Sequence, residues 1–413
     1  MSDDLLDLLN QFSAFGATPR MGVRRLAASA EDLLARAAFA QEAEKRGARM
    51  HTDPVGNMFA TFATAPDAES TVLVGSHFDS QPTGGRFDGT LGVLAGLAAA
   101  SSIMRKGVRA RHNITVANWT NEEGARFQPS LTGSSVFAGK MALAAALALE
   151  DRDGRSLGSA LGAIGQRGCT PFPLRPVRNV ELHVEQGDHL ETGGLHIGAV
   201  TSSWAARKIS VAFLGEPSHT GPTPMHRRRD ALRAAAAAIT HFHAAMEKEA
   251  EEHKLHWSAA KIVAEPDSPN VVASRVTVWF EIRNPAHAVT VGVGDRFITS
   301  MTSLIDAQGL AFEIVRDEHR PGVMLDPVGV ERVMQAALSL GLSATRMMTI
   351  TGHDALTLQA IMPSTLIFIP SVGGLSHNEA ELTHEDDIRN GCAVLEATLL
   401  YFAQEEERSK EAP

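Results

Sequence analysis

Apolar residues recur at helical spacing at the start of the chain (Leu5, Leu8, Leu9, Phe12), and the pattern predicts helices over about residues 5–50. Alternating strand and helix patterns then run to about residue 145. Two short apolar runs, 71–74 and 114–117, show no polar alternation, which predicts parallel strands buried on both faces. Residues 91–104 predict the helix behind the first of them, with Gly92 and Gly96 permitting close approach to the sheet. The Gly-rich stretch 151–168 reads as a surface connection with a short helix.

The middle of the chain has another rhythm. Residues 208–213 alternate like a half-buried strand, and 229–246 form a long Ala-rich helix. Strand patterns follow at 259–264 and 276–282, then a helix over about 290–307 and a strand at 311–315. That order is βαββαβ, a ferredoxin-like unit. Around Pro321 the earlier pattern returns, with a helix at 328–340, a strand at 365–369 and a helix at 386–404. The expected organisation is an α/β sheet domain (1–206 and 321–413) interrupted by a smaller inserted domain (207–320), with no internal repeat.

At 413 residues the chain exceeds one ordinary core, in keeping with that division. Hydrophobic content of 44% with 21% charged residues is that of a water-soluble globular protein. The formal net charge of −10 argues against nucleic acid and anionic membrane surfaces as partners. The acidic, amphipathic start is unlike a signal peptide, and no apolar run approaches membrane-spanning length. Cys169 and Cys392 form no C-x-x-C pair and fit a reducing, cytoplasmic setting.

The chemistry gathers at strand ends. Gly75-Ser76-His77-Phe78-Asp79, with Asp88-Gly89 after it, follows the first buried run; Asn121-Glu122-Glu123-Gly124 follows the second. In an open α/β sheet, ligands collect outside the carboxyl ends of strands. One His and four carboxylates therefore reach one sheet edge, where they repel one another unless a cation holds them. Adjacent Glu122 and Glu123 suggest one metal ligand and one proton carrier. His183 lies at a further strand end and His377 in a Gly-rich loop after another strand. Three His, one Asp and one Glu suit a pair of zinc ions, which a carboxylate can bridge.

With these residues in place, the chain resembles the N-carbamoyl-amino-acid amidohydrolases. This hydantoinase/carbamoylase group includes β-ureidopropionase and allantoate amidohydrolase and belongs to the dinuclear-zinc exopeptidase superfamily. The resemblance spans roughly residues 10–405 and rests on six collinear motifs: GSHFDSQPTGGRFDG, WTNEEGARF, ELHVEQG, HTGPTPM, TGHDA and PSVGGLSHNEAELT. It implies a zinc-exopeptidase-like catalytic sheet domain with an inserted ferredoxin-like lid and dimerisation domain. One metal would be held by His77 and His183, the other by Glu123 and His377, with Asp88 bridging. Zinc is the expected metal, with manganese, cobalt and nickel as alternatives. Glu122 would be the general base and Asp79 would orient His77.

The resemblance also implies substrate contacts by Gln186, His219, Asn270, Arg283, Gly352 and His353, with His219 also stabilising the oxyanion. It implies a homodimer through the inserted domain, with His219 acting across the dimer; action within one chain is the alternative. The implied reaction is hydrolysis of the ureido C–N bond of carbamoyl-β-alanine or an N-carbamoyl-L-amino acid to amino acid, ammonia and carbon dioxide. Allantoate is the alternative substrate. An N-acyl-amino-acid or peptide hydrolase is a further alternative, although such relatives usually carry a carboxylate where this chain has His183. Two departures bear on substrate rather than metal: Asn284 where the family often has His, and the tract Thr201-Ser202-Ser203-Trp204-Ala205-Ala206 in place of a Gly-rich, aromatic one.

Overall fold

The fold was analysed on a computed structural model that describes residues 2–406. The chain divides into two compact units, one made of the residues up to Thr201 and from Met324 onward, the other of Ser202–Val323.

The first unit is built on an eight-stranded sheet in the order Arg49–Thr52, Met58–Phe62, Asn113–Trp119, Ser70–His77, Arg175–Val184, Ser364–Ile369, Ile197–Ser203 and Ala344–Thr349. The four middle strands from Asn113–Trp119 to Ser364–Ile369 are mutually parallel. Every residue of Ser70–His77 and Asn113–Trp119 is buried, so the unbroken apolar runs did mark strands covered on both faces. Helix Thr90–Arg105 lies against this centre so closely that a β-carbon at Gly92 would stand 2.5 Å from the Leu182 carbonyl oxygen. Helix Glu385–Gln404 joins the same core through Ile388, Val394, Leu395 and Leu399. Leu5, Leu8, Leu9 and Phe12 are all buried, as their spacing required.

The expectation of helix throughout 5–50 is corrected. Helices span Ser2–Ser13 and Ala30–Lys45, and Arg49–Thr52 is a strand. The intervening backbone is used elsewhere: Val23 exchanges hydrogen bonds with Gly84 (2.9 and 3.0 Å), and Arg25 pairs with Ser80. A segment whose amides bond to a distant loop cannot also close helical turns.

The second unit has a four-stranded antiparallel sheet ordered Ala311–Arg320, Ala205–Leu214, Arg275–Asn284, His256–Glu265. Helices Ala231–Ala250 and His287–Asp306 cover one face, where Phe242 and Phe297 pack on Phe280 among Ile209, Val211, Phe213, Val276 and Val278. The last strand runs five residues beyond its predicted end, because Arg316–Arg320, paired with Ala206–Ser210, are all polar and leave no apolar alternation to read. A two-residue ribbon, Ser218–His219 against Val271–Val272, was too short to show a period. Where the chain enters and leaves this unit, Ser203 N–H donates to the Val323 carbonyl (2.9 Å) and Val323 N–H to Ser203 Oγ (3.0 Å). Among the described residues no helix is long and apolar enough to cross a membrane.

Candidate metal centre

The carboxyl ends of the four parallel strands carry the candidate residues. His77 closes Ser70–His77, Glu122 and Glu123 follow Asn113–Trp119, His183 is the penultimate residue of Arg175–Val184, and His377 stands in the loop after Ser364–Ile369. Asp88 sits just before helix Thr90–Arg105. Gly89 between them has φ of 65°, and a β-carbon there would lie 2.3–2.5 Å from the His77 ring, so only glycine fits.

The two histidines at strand ends are fixed through Nδ1. His77 donates from it to the Asp79 carbonyl oxygen (2.8 Å) and His183 to the Val184 carbonyl oxygen (2.9 Å), which turns both Nε2 atoms inward toward Asp88. Gly89 N–H pointing at His183 Nε2 (3.2 Å) is the same geometry seen from the other side. Asp88 divides its carboxylate between two groups. Oδ1 stands 3.1 Å from His183 Nε2 and 3.8 Å from His77 Nε2, whereas Oδ2 stands 3.6 Å from His377 Nε2. Glu123 Oε2 is 3.3 Å from the same His377 nitrogen. Two sets of potential ligands result, His77–Asp88–His183 and Asp88–Glu123–His377, each with its ligand atoms within 4.8 Å of one another.

This donor set fits a pair of divalent ions. Ligand bonds of 2.0–2.2 Å at tetrahedral angles separate ligand atoms by about 3.4 Å, in the middle of the distances found here. A further buried group, Glu181–His183–His353, shares His183 with the first and is not independent of it.

The charges point the same way. Burial, then Asp354, Glu123, Asp79 and Asp88, push the Glu122 carboxyl well above the usual range. Burial raises Asp79 to about 6 and Glu381 to about 8, the latter with help from Asp88. Burial also disfavours the charged forms of Asp88, His183 and His377, but their mutual attraction outweighs it. Asp88 is held below the ordinary carboxylate range, His183 rises to about 9 beside Asp88, and His377 to about 9 beside Glu123 and Asp88. A cluster this rich in carboxylates is one that added positive charge relaxes.

Glu122 Oε2 lies 3.5 Å from His77 Nε2. Asp79 meets His77 through its main-chain oxygen rather than its carboxylate. Its Oδ1 and Oδ2 instead accept from the backbone N–H groups of Glu122 (3.1 Å) and Glu123 (3.2 Å), fixing the turn that presents both glutamates. Gln186 donates from Nε2 to Asp88 Oδ2 (2.9 Å), and its own Oε1 is buried with no partner among the described residues. His353 is buried, hydrogen-bonds Thr351 Oγ1 through Nε2 (2.9 Å) and stacks edge-on 4.6 Å from the His183 ring. Burial and the nearby His183 hold it far below its ordinary value, hence neutral. Gly352 beside it is exposed.

His219, Asn270 and Arg283 belong to the second unit. The ribbon sets His219 opposite Val271, and Thr220 N–H donates to the Asn270 carbonyl (3.3 Å), so the first two are neighbours. Gly221 N–H donates to His219 Nδ1 (3.0 Å), leaving Nε2 as the exposed N–H donor. Arg283 pairs with Glu281 through Nε (3.0 Å) and Nη2 (2.9 Å).

Three buried carboxylates went unread as site residues. Glu381 Oε1 accepts from the backbone N–H groups of Phe87 (3.2 Å) and Asp88 (3.0 Å). Glu181 accepts from Ser76 Oγ (2.7 Å) and Ala355 N–H (2.8 Å), and Asp354 is buried with Glu181 raising its value beyond what burial does. Glu181 shares a strand face with His183 by the period of two, which was a usable signal; Glu381 and Asp354 lay inside the quoted motifs without a period to mark them.

The chain belongs to Peptidase family M20/M25/M40, whose pattern it matches over residues 73–401. Within that family it is 36% identical to the N-carbamoyl-L-amino-acid amidohydrolase of Rhizobium meliloti, over 97% of this chain and 95% of that protein. It is 30% identical to the allantoate amidohydrolase of Bacillus subtilis, over 97% of each chain. Its fold superposes on the crystal structure of a hydantoinase/carbamoylase family amidase from Burkholderia vietnamiensis with a TM-score of 0.92, at 35% identity and 98% coverage of both chains.

Proposed function

We propose that the protein hydrolyses the ureido C–N bond of an N-carbamoyl amino acid, carbamoyl-β-alanine or an N-carbamoyl-L-amino acid, releasing amino acid, ammonia and carbon dioxide. The observation that carries this reading is the Asp88 carboxylate divided between two ligand sets, with Glu122 beside them. The names of the amidohydrolase relatives supply the substrate class. His77, His183 and Asp88 would hold one divalent ion, and Asp88, Glu123 and His377 a second, zinc being the metal such N and O donors favour. When bound, such ions polarise a carbonyl oxygen and lower the pKa of a water to about 7.

The remaining steps fall to the chain's own residues. Glu122, as the carboxylate, takes the proton of the attacking water and returns it to the leaving nitrogen, a transfer that its burial-raised affinity for a proton assists. Asp79 keeps Glu122 and Glu123 apart in their roles by binding both backbone amides. His219 donates from Nε2 to the oxyanion, and Arg283 with Asn270 takes the substrate carboxylate. Gln186, Gly352 and His353 complete the substrate contacts. We further infer a homodimer through Ser202–Val323, with His219 serving the partner's site, and a cytoplasmic setting, in keeping with two unpaired thiols.

The test is an ammonia-release assay on metal-restored protein with carbamoyl-β-alanine, carbamoyl-L- and D-amino acids and allantoate. Turnover of a carbamoyl amino acid is expected. Preference for allantoate would select the second reading, which the Bacillus subtilis relative favours; turnover of N-acyl amino acids or peptides alone would overturn both.

A further inference from the structure

Arg25 lies outside the matched stretch 73–401, yet its side chain is almost completely buried, at 1% exposure. Its Nε donates to the Phe78 carbonyl (2.6 Å) and its Nη2 to Thr90 Oγ1 (2.6 Å). Its Nη1 donates to the carbonyls of Phe12 (3.0 Å) and Phe15 (2.9 Å), at the end of helix Ser2–Ser13. The main chain adds two bonds: Arg25 N–H to Ser80 Oγ and Ser80 N–H to the Arg25 carbonyl, both 2.9 Å.

No carboxylate is among these hydrogen-bond partners. An arginine serving charge neutralisation would turn its fork to an acid, whereas this one spends it on three backbone carbonyls and a hydroxyl. Burial lowers the guanidinium to about 10, against the pull of Asp32 and Asp79, so it remains charged at neutral pH. The residues it joins are telling. Phe78 directly follows His77, and Thr90 stands two places after Asp88, so the fork spans the two ends of the loop that separates them.

We propose that Arg25 is a positioning residue for the metal centre, setting the placement of His77 and Asp88 by tying Phe78 to Thr90. The inference rests on reading His77 and Asp88 as metal ligands. Outer partners that orient ligands typically change metal affinity 10–100-fold. Lysine keeps the charge but loses the planar fork that serves Phe78, Thr90, Phe12 and Phe15 together.

The experiment measures metal affinity in chelator-stripped full-length protein, by competition with a chromophoric chelator for Zn2+ and by the visible spectrum on adding Co2+. Arg25→Lys is expected to weaken binding about 10–100-fold, with an altered Co2+ spectrum. Thr90→Val removes one bond of the fork without emptying the buried site and should weaken binding several-fold; Thr90→Ser keeps the hydroxyl and should match wild type. If Arg25→Lys fails to fold, the Thr90 pair decides. Wild-type affinity and spectrum in Thr90→Val, together with either wild-type binding or failed folding of Arg25→Lys, would overturn the proposal even if the melting temperature of the metal-free protein fell. A wild type that takes up no metal would overturn the ligand reading itself, and the proposal with it.

Discussion

His183 Nε2 faces Asp88 Oδ1 at 3.1 Å while the other oxygen of the same carboxylate serves the His377 side. One side chain thus stands between two groups of potential ligands that approach from different strand ends.

Asp88→Ala should therefore lose both ions rather than one, since each set is left with two ligands and the remaining carboxylates repel. Elemental analysis of metal-loaded protein checks this. Two ions per chain are expected in the wild type, and a variant retaining a full ion would show that Asp88 does not bridge.

Glu122→Gln should keep its metal and lose at least ~100-fold in kcat, the scale of general acid–base catalysis. Glu123→Gln should bind metal more weakly, because Glu123 Oε2 is the carboxylate oxygen 3.3 Å from His377. Parallel measurement of metal content and turnover separates the two; the opposite pattern would exchange their roles.

Metal-free protein should lose stability as pH rises. Asp79, Glu381, His183 and His377 have folded-state values of about 6, 8, 9 and 9, all above their ordinary ones. Groups raised by folding stabilise fully below their unfolded values and lose that contribution as pH climbs through the folded ones. Asp88, held low, works in the opposite sense only in acid below about pH 4. His353, also held low, does so up to its ordinary value near 6.5, below the folded values of Glu381, His183 and His377. Thermal melts with chelator at pH 6, 7.5 and 9 should show a falling Tm, and metal-loaded protein a flatter profile. An equal slope with and without metal would show that the ions leave these groups untouched.

The sheet was more legible than the network beneath the site. Predominantly apolar runs at 71–74 and 114–117 marked buried strands because both of their faces are covered, and the threonines within them, Thr71 and Thr115, hydrogen-bond each other. His77 and the pair Glu122 and Glu123 stood out because they follow such runs, whereas His183 and His377 stood out by motif alone. What stayed hidden depends on tertiary contact: that Asp79 holds Glu122 and Glu123 through their amides, that Glu381 grips the backbone at Asp88, and that the segment after Phe12 leaves the helix to reach Gly84 and Ser80. Backbone partners leave no trace in side-chain periodicity. The His219 ribbon was invisible for a simpler reason, since two residues cannot display a period.

Arg283→Lys should weaken carboxylate substrates strongly while leaving metal content at the wild-type level. Lysine retains the charge but not the planar fork that matches a carboxylate. Comparing a carbamoyl amino acid with its amide in both proteins tests the assignment. Equal turnover of acid and amide by the wild type would remove Arg283 from this role.

Mixing His219→Ala with Glu122→Gln tests whether His219 serves a partner subunit. Each is expected to be inactive alone. A mixed dimer would hold one site with both residues intact, so up to about half the activity of a wild-type dimer should return in it. Exchange of subunits without recovery would place His219 in its own chain's site, and a monomeric sedimentation profile would remove the dimer.

The reciprocal bonds between Ser203 and Val323 bring the two ends of Ser202–Val323 side by side. A segment that leaves and returns at one point behaves as a cassette. It can be exchanged for its counterpart from a relative through two splice junctions, with the strands bearing His77, His183 and the paired glutamates left unaltered. His219, Asn270 and Arg283 would then travel together as one continuous block, while the metal-type residues stay open to point substitution.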